Sequence, residues 1–156
     1  MSDAFTANVP LPLPEPTQDE RTMATLAHVL QIVGGWIAPL IIFFVKADSK
    51  FVRFHALQVL LLHICLFVFG LFMALLWVVI MVASILGAVA QSAAHPNQIP
   101  FPFGFFLLFP FIWLFAIGVT IFEIILAIVF AIKAGRGEWA EYPLFGRWAK
   151  RILKIA

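Results

Sequence analysis

Between Arg53 and Glu123 the chain carries no Lys, Arg, Asp or Glu, so the whole of residues 54–122 is formally uncharged. A water-soluble domain needs charge along every exposed element, and this stretch supplies none. It fits a solvent of lipid, which makes the chain an integral membrane protein. The rest of the composition agrees: 63% of residues are hydrophobic, and 18 Phe and 5 Trp suit a lipid-facing surface with aromatic belts. At 156 residues there is room for one domain. The single cysteine, Cys65, excludes an intramolecular disulfide. No basic n-region followed by an apolar core opens the chain, so no cleavable signal is expected.

The expected fold is all-α, with three membrane spans at about 18–45, 54–90 and 104–133 and a C-terminal amphipathic helix at about 143–155. Residues 1–16, in which Pro10, Pro12, Pro14 and Pro16 alternate with other side chains, read as an extended, flexible tail; residues 17–156 form the helical membrane domain. Thr17-Gln18-Asp19-Glu20 has the form of a capping box. The apolar part of the first helix, 23–45, is long enough to span, with a kink near Gly34-Gly35 caused by Pro39. The connection 46–53 is basic, and Asp48 or Ser49 can cap the second helix. That helix is overlong for one bilayer core, so a tilt, or a bend near Gly70, is expected. Residues 91–102 read as a turn-rich, uncharged loop, followed by a phenylalanine belt through Phe101, Phe103, Phe105 and Phe106. Gly135 or Gly137 should end the third helix.

Small residues predict close-packing positions: the adjacent Gly34 and Gly35 in the first helix and, four apart on one face, Ala83 and Gly87 in the second and Ala127 and Ala131 in the third. At the C-terminus Leu144, Phe145, Trp148, Ile152 and Leu153 project to one side, and Arg147, Lys150, Arg151 and Lys154 to the other. Arg147, Trp148, Lys150, Arg151 and Lys154 therefore read as a surface for anionic headgroups, with Trp139 and Tyr142 at the same level. Lys and Arg number one before the first span, three in the first connection, none in the second and six from Lys133 onward. With three spans this predicts the N-terminus outside and the C-terminus inside.

Few residues carry chemistry. Glu123 and His63 both lie about 15 Å from the inner boundary and read as an intramembrane polar pair, either a clamp between helices or a proton-linked site. His28 and Gln31 mark the packed side of the first helix, and His55 and Gln58 a partly hydrated position at the inner interface. The four histidines are dispersed without a cysteine partner, so no metal site is expected. No nucleophile elbow, phosphate loop or dinucleotide fingerprint occurs, and no nucleic-acid module accompanies the basic tail. The sequence thus predicts no catalytic residue, no cofactor and no enzymatic activity.

Two stretches form a recognisable pair: Leu26-Ala27-His28 through Lys46-Ala47-Asp48-Ser49 to Phe51-Val52-Arg53-Phe54-His55-Ala56-Leu57-Gln58, and Ala131-Ile132-Lys133-Ala134-Gly135-Arg136-Gly137-Glu138 followed by Tyr142-Pro143. The pairing resembles a family of small uncharacterised bacterial membrane proteins related to the Tic-twenty-like component of the chloroplast inner-envelope protein translocon. The resemblance implies the bacterial inner membrane and an accessory, assembly or translocon-like subunit. A homo-oligomer or a larger membrane complex is the expected assembly. The competing expectation is a homo-oligomeric channel or proton-linked transporter built on Glu123 and His63.

Overall fold

A computed structural model describes residues 14–95, 97 and 103–155. All regular structure among them is helical: α1 Gln18–Val29, α2 Gln31–Gly34, α3 Ile37–Val45, α4 Lys50–Ala94, α5 Phe103–Gly135 and α6 Phe145–Leu153. Most of the Pro-rich tail, half of the loop 91–102 and the side chains of Phe101, Phe103 and Phe105 lie outside the described residues, and residues 91–94, expected in that loop, belong to α4.

The expected first span does not form one continuous helix. The capping box forms as predicted, with Thr17 Oγ1 accepting from Glu20 N–H and the Glu20 carboxylate accepting from Thr17 N–H. The helix then runs to Gly34 with a break at Leu30, and reverses. Gly35 has φ 55° and ψ −133°, and Trp36 has φ −77° and ψ −15°. These are the central angles of a type II′ turn, whose first central position is a glycine position. Consequently α3 returns toward the start of α1. Lys46 Nζ lies 2.6 Å from Asp19 Oδ2, and Ser49 Oγ donates to Glu20 Oε1 at 2.6 Å. A straight helix would hold residues 19 and 46 about 40 Å apart. Residues 18–45 are a helical hairpin, so N-outside loses its premise. Gly34 and Gly35 make the turn and are not a packing face: a Cβ on Gly35 would meet nothing, and one on Gly34 would meet only Ala38 of the next turn.

Two helices, α4 and α5, are long and apolar enough to cross a membrane. Ser49 caps α4, its Oγ accepting from Val52 N–H at 3.2 Å. The 45 residues of α4 run unbroken through Gly70. Helix α5 ends in a Schellman motif: Gly137, at φ 80°, donates to Ala134 O, and Glu138 N–H donates to Lys133 O.

The described chain falls into two compact units. The first, residues 1–62 and 126–156, holds the hairpin, the first turns of α4, the end of α5 and α6. Its packing is built on small residues. Ala27, Ile42, Val52 and Ala56 form one cluster, and Ala24, Phe51 and Ala134 another. Ala127 and Ala131 are buried, and Thr25 Oγ1 lies 3.3 Å from Ala131 O, so this predicted face does receive a neighbour, α1. Helix α6 packs Ala149 and, just past its end, Ile155, with Leu153, against Phe54, Leu57 and Leu61 of α4, and buries Gly146 against Glu141. The second unit, residues 63–125, comprises the apolar lengths of α4 and α5. There Ala83 and Gly87 stay exposed, and a Cβ on Gly87 would meet no atom.

Candidate functional site: a buried histidine–tyrosine network

Besides the capping Ser49, the first unit buries five polar side chains almost completely: His28, His55, Gln58, Gln31 and the chain's single tyrosine, Tyr142. Helix α1 contributes His28, α2 Gln31 and α4 the i, i+3 pair His55 and Gln58. Tyr142 arrives on the arm 138–143 between α5 and α6. The Schellman turn starts that arm, and the reverse turn at Tyr142, whose carbonyl accepts from Gly146 N–H at 3.0 Å, ends it. Only glycine fits at 146, because a Cβ there would lie 2.8 Å from the Glu141 Cα.

The contacts form one connected chain. His28 Nδ1 is 3.0 Å from the Tyr142 hydroxyl, His28 Nε2 is 3.0 Å from His55 Nδ1, and His55 Nε2 is 3.1 Å from the Glu138 carbonyl. Gln31 Nε2 reaches the Tyr142 oxygen at 3.4 Å. Gln58 grips the arm twice, donating to Ala140 O at 3.2 Å and accepting from Tyr142 N–H at 2.6 Å. A carbonyl can only accept, so His55 Nε2 carries a proton. Neutral His55 then accepts at Nδ1 from His28 Nε2–H, and His28 Nδ1 accepts from the Tyr142 hydroxyl. Every bond has one proton and both rings are neutral.

Aromatic edges seal the site. Phe51 and Phe54 meet His55 at 4.7 and 5.3 Å between centroids, Phe130 meets Tyr142 at 4.2 Å, and Trp139 meets Phe51 at 5.1 Å. Both nitrogens of both imidazoles are already engaged, which leaves neither a lone pair for a metal nor a free base. What the arrangement can do is hold three distant segments together. Gln31 Oε1 is buried without a partner among the described residues.

Several expectations change here. His55 and Gln58 are not hydrated interface residues; both are fully buried and bonded to the arm. Tyr142 is buried inside the first unit and not presented to headgroups, and Trp139 packs on Phe51 and Phe54. In the second unit His63 and Glu123 do come together, Nε2 to Oε1 at 3.8 Å with side chains 18% and 27% exposed, tying α4 to α5. On α6, Arg147, Trp148, Arg151 and Lys154 are exposed, whereas Lys150 turns to Glu141 at 2.7 Å. No group of three or more His, Cys, Asp or Glu placed to hold a metal occurs among the described residues.

At the base of the hairpin the Glu20 carboxyl is held below the usual carboxylate range, first by the Ser49 hydroxyl and then by the Thr17 amide. Asp19 raises the Lys46 ammonium above its ordinary value.

No curated protein and no solved structure matches the chain. A family model does match, over residues 19–149, which takes in the hairpin, α4, α5, the arm and the start of α6. Its description overturns the resemblance to the Tic-twenty-like translocon component, and the translocon reading goes with it. The chain belongs to the magnetosome magnetite crystal formation protein family, a membership that implies a magnetosome membrane protein involved in crystal formation.

Proposed function

We propose that the chain serves crystal formation as a non-enzymatic assembly or accessory component of the magnetosome membrane, crossing it twice with both termini on the cytoplasmic side. The partition of charge carries this reading. Once residues 18–45 are a hairpin, all ten Lys and Arg fall before Phe54 or after Ile132, while residues 91–102, between the spans, contain none. The positive-inside rule then favours one arrangement. The same loop contains no carboxylate, so its composition gives it no electrostatic hold on iron cations. The buried network supports a scaffolding role, because its groups are spent on internal bonds. Leu144, Trp148 and Ile152 form an exposed ridge on α6 beside Arg147 and Arg151, which suits an anionic lipid surface. The exposed apolar faces of α4 and α5, with Ala83 and Gly87, suit a second copy or a membrane partner.

The test has two arms. Reporter fusions at the N-terminus, at Asn97 and at the C-terminus should report cytoplasmic, opposite and cytoplasmic sides; an N-terminus opposite to the C-terminus would overturn the arrangement. Crystal size and number in cells lacking the chain, with and without complementation, test the role. The 3.8 Å approach of His63 and Glu123 favours a second reading, a proton-linked path. Glu123→Gln should leave crystals unchanged if the pair is a clamp that tolerates a neutral partner. Altered crystals with unaltered assembly would favour the second reading.

A further inference from the structure

We propose that the α1–α3 hairpin is a wedge seated in the acyl chains of one leaflet only, giving the protein a preference for membrane that is convex on its charged side. This rests on the two-span arrangement proposed above, which the reporter fusions test separately.

The hairpin cannot cross a bilayer. At ~1.5 Å per residue the first leg, α1 with α2, is at most about 25 Å long even if straight, and α3, which carries the chain from the turn back to the base, is about 13 Å, against a hydrocarbon core of ~30 Å. Its two ends return to one level, fixed by the Asp19–Lys46 and Glu20–Ser49 contacts. That level is the membrane surface, because Ser49 caps α4 and α4 is itself a membrane-length helix packed on the hairpin through Val52 and Ala56. The base is charged, with Asp19, Glu20, Arg21, Lys46, Asp48 and Lys50; residues 22–45 contain no formal charge.

The surface that points away from the protein is apolar from turn to base. Val33 at the tip is 91% exposed, Trp36 and Ile37 just over half, and Ile41, Phe44 and Val45 between 57% and 69%. Of the polar side chains above the base, His28 and Gln31 face inward to the network and Thr25 Oγ1 meets Ala131 O; Thr22, exposed next to the charged base, bonds to Gln18 O. An outward apolar shell on a charged base fits acyl chains below a headgroup layer. Two helical legs, each about 10 Å across, then displace lipid from one leaflet, and neither leg continues into the other. Area added to one leaflet alone favours curvature convex toward that leaflet.

Cell-free translation of the full chain into preformed vesicles leaves the charged termini outside and fixes the orientation. Protein density should be severalfold higher on small sonicated vesicles than on large extruded ones of the same lipid. Val33→Ala with Trp36→Ala trims the exposed shell, leaves the buried network in place, and should abolish the difference without changing stability to detergent denaturation. Equal density of the unaltered chain on both vesicle sizes overturns the proposal, as does a preference that survives the double substitution. A fold-independent readout uses the chain with Trp77, Trp113, Trp139 and Trp148 replaced by Phe. Trp36 fluorescence should be quenched by acyl chains brominated near the bilayer centre and not by aqueous iodide. Quenching by iodide, or protection from both quenchers by a second copy, refutes the wedge.

Discussion

Replacing Tyr142 with Phe keeps the ring that packs on Phe130 and removes one oxygen. That oxygen donates to His28 Nδ1 at 3.0 Å and accepts from Gln31 Nε2 at 3.4 Å. Both partners stay buried, so two polar groups lose their bonds without gaining water. A buried group left unsatisfied costs about 1–3 kcal/mol, and the long Gln31 contact lies at the weak end. Tyr142→Phe should therefore destabilise the first unit by about 2–4 kcal/mol. The assay is denaturation of the purified chain in mixed micelles, followed by tryptophan fluorescence, since Trp139 packs on Phe51 and Phe54 beside the site. Trypsin cutting at Arg147 and Arg151 should speed up in parallel as the arm detaches. In a double-mutant cycle with His28→Leu the two changes should couple by about 1–2 kcal/mol. A loss from Tyr142→Phe of under about 0.5 kcal/mol, the range of an ordinary surface change, would refute the claim that the network holds the arm.

Four further outcomes follow from the same geometry. With Cys65 changed to Ser, cysteines at positions 19 and 46 should cross-link through a short bifunctional reagent; no cross-link would restore a straight span. Gly35→Ala should cost about 1–3 kcal/mol, because φ 55° with ψ −133° is a conformation that side chains avoid, and equal stability by denaturation would refute the turn. The Glu20 carboxyl is depressed in the fold, so its contribution is present above the ordinary value of 4.5 and lost as pH falls through the lower folded value; Glu20→Gln should flatten denaturation curves across that acidic window. Gly146→Ala sets a Cβ against the Glu141 backbone and should release the arm as Tyr142→Phe does, read by the same trypsin assay.

Local patterns in the sequence translated faithfully. The capping box at Thr17, the cap at Ser49, the glycine stop after α5 and the face at Ala127 and Ala131 each depend on residues within a turn or two of one another. The hairpin was illegible because hydropathy registers how many apolar residues follow one another and not whether the chain reverses among them. Residues 23–45 satisfy a span in length, and the paired glycine reads equally as a kink. The clue lay at the ends, where Asp19 and Glu20 complement Lys46 and Ser49. Tyr142 was misplaced for a different reason: a tyrosine beside basic residues is common at membrane interfaces, and its partner His28 stands 114 positions away. On α6 the projected apolar side divides: Ala149 and Leu153 pack against α4, while Leu144, Trp148 and Ile152 stay outward, and Lys150, expected at the lipid surface, turns to Glu141.

The spacing of the network bonds along the chain has a consequence for biosynthesis. His28 and His55 are 27 positions apart and meet early, but the bonds to Glu138, Ala140 and Tyr142 bridge 82 to 114 positions. A chain made from its N-terminus forms the hairpin first and keeps the outer nitrogens of both imidazoles unmatched until residues 138–142 leave the ribosome. Truncated products thus expose unpaired polar groups at the lipid boundary, a state that membrane proteases can recognise. The arm 138–143 is the piece that closes the first unit, and its arrival separates a finished network from an unfinished one.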